Sequence, residues 1–341
     1  MFPAPLATGR RSINNGNRFR QARSSREMTI MPNRKDRRGF FRDAALVSAG
    51  ALGGIAGGMF PAGTSAIGPI PRNGAAKFKF SLAGYSYRKL LTGNPPELTL
   101  DDFLADCARF GLEGTEPTSY YFPKDFTLDY LRHLKSLAFR LGLDISGTAV
   151  GNDFCYPPGP ERDQQIASVK QWIDYAEILD APVIRIFSGR PRLEQAEDEA
   201  HKLAVEGIEE CCEYAGGHGV FLALENHGGL TTKIDGMMRL VDDVKSPWFG
   251  VNLDTGNFRD WSTLDEMYAD LARLAPYSLN VQVKVTVSGP DGKKIPSDFA
   301  RLAQILSDAA YRGYIVLEYE EDEDPRVACP RYLDQLREAF G

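Results

Sequence analysis

From residue 77 onward, apolar runs of five to eight residues alternate with longer amphipathic segments. The runs read KFKFSLAG (77–84), GLEGTE (111–116), LDISGTA (143–149), PVIRIF (182–187), GVFLALE (219–225), FGVNLD (249–254), NVQVKVTV (280–287) and GYIVLEY (313–319). They show little polar alternation, which predicts strands covered on both faces. The segments between them predict helices over 99–110, 125–140, 161–179, 191–215, 231–243, 262–275, 296–309 and 325–340. Thr99 with Asp102 and Thr263 with Glu266 have capping-box spacing at two helix starts. Gly111, Gly142, Gly216 or Gly217, and Gly313 follow periodic runs, where a left-handed cap favours glycine. Eight strand–helix units predict an α/β fold, a single-domain (β/α)₈ TIM barrel over residues 77–341. A doubly wound open sheet is the alternative, but SLAGYSYRK after the first strand lacks the GxGxxG phosphate loop.

Residues 1–66 are different material. Residues 1–43 carry eleven Lys or Arg against three acidic residues. Arg37 and Arg38 then precede a mild, glycine-rich apolar stretch from Ala44 to Phe60. That order predicts a twin-arginine export signal with a small-residue cleavage point near Ala66, and hence a periplasmic protein. The stretch is short for a stable membrane span, so none is expected after processing.

The chain is 43% hydrophobic and 25% charged over 341 residues, enough for a core without covalent staples. The five cysteines form no CxxC pair, which predicts buried free thiols. Net charge is −6, so removing the basic leader leaves a body near −14. An acidic body argues against a nucleic-acid partner.

In a barrel, chemistry collects where strands end at their C-terminal side. Those ends offer Glu116, Glu225 with His227, Asp254 with Asn257, Gln282 with Lys284, and Glu318 with Glu320. Carboxylates embedded in apolar strands are costly unless paired or bound to a cation. Glu225, Asp254 and Glu318 are therefore the leading site candidates, with Glu116 next. His133, His201 and His218 fall on helices or at the opposite face, so a three-histidine zinc centre lacks ligands. A carboxylate-rich site favours a harder divalent cation, Mn²⁺ or Mg²⁺. Arg185, inside the fourth strand, either reaches the cavity or pairs with an acid behind it. Tyr156 is a candidate for stacking on a sugar ring. The acidic run Glu320–Asp324 reads as a solvated loop.

These residues resemble the xylose-isomerase-like barrel family of sugar isomerases and epimerases, including ketose 3-epimerases and inosose dehydratases. The anchors are TEP in the second strand, LENHGG (224–229), NLDTGN (252–257), VQVKV (281–285) and VLEYE (316–320). The resemblance implies one divalent ion held by Glu225, Asp254, Gln282 and Glu318. Gln282 stands where ketose 3-epimerase-like members carry histidine, and Asn257 stands where a second histidine is frequent. It further implies a small-molecule carbohydrate substrate and an enediolate, with Glu225 and Glu318 as catalytic carboxylates on its two faces. Glu116, His227, Asn257, Lys284, Arg185 and Tyr156 would contact substrate. A sugar lyase or dehydratase of the same fold, or a non-catalytic sugar-binding barrel, are the alternatives.

Overall fold

In the computed structural model, residues 67–259 and 261–341 are described. The twin-arginine leader lies outside them. The main strands are β1 (Lys77–Leu82), β2 (Gly114–Thr115), β3 (Asp144–Ile145), β4 (Thr148–Ala149), β5 (Val183–Ile186), β6 (Phe221–Glu225), β7 (Phe249–Asp254) and β8 (Ser278–Lys284). Then come β9 (Thr286–Ser288), β10 (Lys294–Pro296) and β11 (Arg312–Glu318). The major helices are α1 (Leu100–Arg109), α2 (Leu128–Leu141), α3 (Pro160–Leu179), α4 (Glu197–His218), α5 (Ile234–Asp243), α6 (Leu264–Leu274), α7 (Phe299–Asp308) and α8 (Pro325–Phe340).

One parallel sheet runs β1-β11-β8-β7-β6-β5-β4. The ring closes through β2 and β3. Glu116 N donates to Leu82 O (3.0 Å), Gly84 N to Glu116 O (2.9 Å), and Ser146 N to Thr115 O (2.9 Å). Thr118 bridges Ala149 in parallel. Every residue of β7 is buried, as expected for a strand with the barrel interior on one side and helices on the other.

Both anticipated capping boxes form, at Thr99/Asp102 and Thr263/Glu266. Thr263 Oγ1 accepts from Glu266 N at 3.2 Å, while Glu266 Oε2 accepts from Ser262 N and Thr263 N at 2.6 and 3.3 Å. Thr263→Ala is expected to cost about 1 kcal/mol, read as a lower urea midpoint at unchanged slope.

Several boundaries differ from the sequence expectation. Gly216 lies inside α4 rather than ending it, and its lack of a side chain serves packing: a Cβ there would meet the Trp248 ring at 2.5 Å. The left-handed cap is Gly219, at φ 70°, so His218 belongs to the helix. The expected strand 280–287 divides after Lys284, and its last residues turn out into the antiparallel β9–β10 hairpin. This hairpin is absent from the eight-unit reading, since two three-residue strands leave too little periodicity to detect.

Below the barrel, Arg72 donates to Ser278 O (2.6 Å) and Ala309 O (3.0 Å), tying the chain before β1 to the N-terminal ends of the strands. No helix among the described residues is long and apolar enough to cross a membrane.

Candidate functional site

Register brings the strand-end groups together. Asp254 pairs with Gln282 across β7 and β8, and Glu318 pairs with Lys284 across β11 and β8. The β7–β8 ladder shifts between Val251 and Asn252, which sets Asn252 opposite Asn280. Inward-pointing residues then alternate along each strand. Glu116, Arg185, Glu225, Asn252, Asp254, Asn280, Gln282, Lys284 and Glu318 are all buried.

The deeper layer is an amide network around Glu116. Gln282 Nε2 donates to Glu116 Oε1 (2.7 Å) and Asn280 Nδ2 to Glu116 Oε2 (2.8 Å). Asn252 Nδ2 donates to Gln282 Oε1 (2.6 Å), and Asn280 Nδ2 also reaches Asn252 Oδ1 (2.9 Å). Burial, with the charge of Glu318 behind it, pushes Glu116 up to about 7 against the pull of its two amide donors.

This shift has a stability consequence. Below the unfolded value near 4.5, both states hold the proton and Glu116 makes no difference. Between there and about 7, the folded carboxyl keeps a proton that the unfolded chain has lost. Stability therefore falls as pH rises through that window, by about 3 kcal/mol, and levels off above it. Glu116→Gln should remove this component. Urea unfolding of both proteins at pH 5 and pH 8 checks it, and an equal slope in wild type and variant would count against it.

The upper layer is two cations among carboxylates. Arg185 Nε lies 2.9 Å from Glu225 Oε2, and Asn257 Nδ2 donates to Glu225 Oε1 at 2.8 Å. The Arg185 guanidinium also donates to Val150 O (2.9 Å) and lies 4.0 Å from the Phe187 ring centroid. Of the two readings open for Arg185, the structure adopts the inward one. Lys284 Nζ lies 2.6 Å from Glu318 Oε2, 3.0 Å from Glu320 Oε1 and 3.2 Å from Asp254 Oδ2. Glu320 is thus half-buried and paired, not part of a solvated loop; its reach to Lys284 depends on a tertiary contact.

Burial raises Glu225, with Arg185 opposing it. Burial likewise raises Asp254 well above the ordinary carboxylate range, against Lys284 and reinforced by Glu318 and Glu225. Burial also pushes on Glu318, but Lys284 and Arg185 outweigh it and hold that carboxyl low. Neighbouring carboxyls displaced in opposite directions can divide acid and base roles.

The other expected contacts are less central. His227 is exposed, with its ring 4.6 Å from that of Phe187 at the edge of the mouth. Tyr156 packs under Arg192, 3.7 Å from ring centroid to guanidinium carbon, and no described contact joins it to the carboxylates. His201 and His218 pair with Asp243 and Glu177, at 2.7 and 2.8 Å, and His133 pairs with Asp101, all on the outer helices.

Residues that the strand-end search passed over include Asn226, Asn252, Asn280 and Tyr120. Asn226 grips β7 twice: its Nδ2 donates to Asp254 O (2.8 Å) and its Oδ1 accepts from Asp254 N (2.9 Å). The available signal was an asparagine inside each of three apolar strand motifs, costly unless satisfied.

A polar cavity of about 170 Å³ opens beside this layer, lined among others by Asn257, Lys284, Glu318, Glu320 and the β9–β10 hairpin. A larger one, about 610 Å³, lies at the opposite, N-terminal face among Lys79, Arg132, Phe139, Asp144 and Tyr314. The smaller cavity holds the convergent charged groups and lies at the strand ends where barrel chemistry is built.

The donor set can be tested against a divalent ion. Both oxygens of Glu225 are engaged by Arg185 and Asn257, and both amide atoms of Gln282 are engaged in the Glu116 network. Asp254 and Glu318 face the Lys284 ammonium. Among the described residues no group of three His, Cys, Asp or Glu is arranged to hold a metal ion. The four residues expected as ligands do not fit a divalent cation in this arrangement. Gln282 is the clearest departure, because it serves Glu116 instead.

The ring of eight parallel strand positions with charged groups at its C-terminal mouth defines a TIM barrel. Residues 104–339 match the model of the xylose isomerase-like TIM barrel family, and the chain belongs to that family. No curated protein matches the sequence. Among solved structures, L-ribulose 3-epimerase aligns with a TM-score of 0.63 at 15% identity, over 77% of this chain and 95% of that one. D-psicose 3-epimerase from Clostridium cellulolyticum H10, with D-tagatose, gives 0.62 at 15%, over 77% and 99%. The probable 3-DHS dehydratase AsbF from Bacillus anthracis gives 0.59 at 18%, over 76% and 98%. At these identities the likeness is one of fold.

Proposed function

We propose that this chain is an isomerase or epimerase of a small keto-sugar, working by proton transfer at the carbon next to the carbonyl. The observation that carries the reading is the pairing of two buried carboxylates on different strands of the mouth, each with its own cation: Glu225 on β6 with Arg185, and Glu318 on β11 with Lys284. One carboxylate removes the proton, the electron pair moves to the carbonyl oxygen, and the cations stabilise the resulting oxyanion. The proton returns to carbon from the same or the opposite carboxyl. Exposed Tyr120 and His227, with Phe187, offer flat apolar walls for a sugar ring. No step is routed through a metal, because the donor set does not fit one.

Elimination is the second reading. Lys284 has protons to give, and the same enolate can expel a β-hydroxyl as water. The export route to the periplasm, read from Arg37-Arg38 and the stretch after them, belongs to this proposal too.

Incubating the protein with a panel of ketoses and keto-sugar acids, followed by mass spectrometry and NMR, tests the reading. An epimer or aldose–ketose isomer of unchanged mass supports it. A product lighter by one water moves the assignment to a dehydratase. Binding of sugars without turnover would leave a carbohydrate-binding barrel.

A further inference from the structure

Lys284 is packed as a fixture, not as a mobile substrate contact. Its backbone is clamped on both sides: Lys284 N donates to Thr255 Oγ1 (3.0 Å), and Ser297 Oγ donates to Lys284 O (2.6 Å). Its stem runs past Gly256, where a Cβ would meet Lys284 Cβ, Cγ and Cδ at 3.2–3.3 Å. The stem thus uses space that any larger residue at 256 would contest. At its tip, three carboxylates from two chain segments, Asp254 at the end of β7 and Glu318 with Glu320 at the end of β11, converge on one ammonium, and an ammonium has three protons to give. Asp254 Oδ2 is buried and makes no hydrogen bond, so the ammonium at 3.2 Å is its charge partner without a well-aligned N–H.

We propose that Lys284 Nζ is a tethered cation, occupying the place where Asp254, Glu318 and Glu320 would otherwise gather around a divalent ion. The chain carries its own positive charge, and the site works without metal. The charge is monovalent and donates hydrogen bonds, whereas a divalent ion would accept oxygen lone pairs. In the reaction proposed above, on which only this consequence rests, the carboxylate gains the proton lost from carbon. The former carbonyl oxygen gains the electron pair, and a Lys284 N–H donates to that oxygen. The positional claim itself is independent of any turnover.

The test uses full-length protein purified without chelator, with Mn²⁺ as the probe. Wild type is expected to contain far less than one divalent ion per chain by elemental analysis. Neither Mn²⁺ nor EDTA should move its melting temperature. Lys284→Met removes the charge at similar length and should bind Mn²⁺ at about one site, well over tenfold more tightly than wild type, by EPR of the free ion. Its melting temperature should rise with added Mn²⁺. Lys284→Arg keeps the cation and should gain no such binding. Uptake of one ion per chain by wild type overturns the proposal, as does a folded Lys284→Met that binds no better than wild type. If Lys284→Met fails to fold, the wild-type titration decides alone, with uptake refuting and its absence supporting the tethered cation. These readouts need no substrate, so a protein inert towards every sugar yet free of metal would sink the proposed reaction and leave the cation standing.

Discussion

Arg185→Met is expected to destabilise the protein by about 3–5 kcal/mol, because it strands Glu225 as a buried carboxylate with no cation beside it. Arg185 is 6% exposed and Glu225 4%. Water cannot replace the lost partner without opening the mouth. Methionine retains much of the volume between Tyr120 and Phe187, so the loss reports charge more than a cavity. The deficit should shrink on acidification, since a protonated Glu225 no longer needs a cation. It should also shrink in the Arg185→Met/Glu225→Gln double variant, giving a strongly coupled cycle. Urea unfolding of the four proteins measures all of this. A loss under about 1 kcal/mol, the range of exposed pairs, would mean that the mouth is solvated and the pair ornamental.

Glu225→Gln is expected to lower the turnover number by about 10²–10⁴-fold, the usual contribution of a positioned acid or base. The variant keeps an oxygen for Asn257, whose Nδ2 now donates to Glu225 Oε1 at 2.8 Å. It turns an amide towards Arg185, so some stability is lost, but the fold should survive. A lowered kcat with little change in KM would place Glu225 in the transition state. A raised KM with kcat unchanged would make it a binding group only. Glu318→Gln gives the matching comparison at the other carboxylate. It also weakens the hold on Lys284, so its effect should be the less clean of the two.

Much of the barrel is legible because its signals are local. Buried strands write themselves as short apolar runs, and Thr99–Asp102 and Thr263–Glu266 mark helix starts within four residues. The carboxylates at strand ends are legible for a related reason: an acid such as Glu225 at the end of FLALE has no cheap structural excuse. What stayed hidden depends on distance along the chain. Gln282 reads as a ligand from its place in VQVKV, yet its partner Glu116 lies 166 residues away. Glu320 belongs to an acidic run in sequence and to Lys284 in space. The asparagines at 252 and 280 face each other only because the β7–β8 register shifts, which no single-strand pattern contains.

Solvent-deuterium exchange followed by proton NMR bears most directly on the account, since it watches the C–H bond rather than the final product. With a ketose that the protein binds, wild type in D₂O should place deuterium on the carbon next to the carbonyl, and Glu225→Gln should slow that by about 10²–10⁴-fold. Exchange at the same rate in both proteins, or none with any sugar bound, would contradict proton transfer by the paired carboxylates at the barrel mouth.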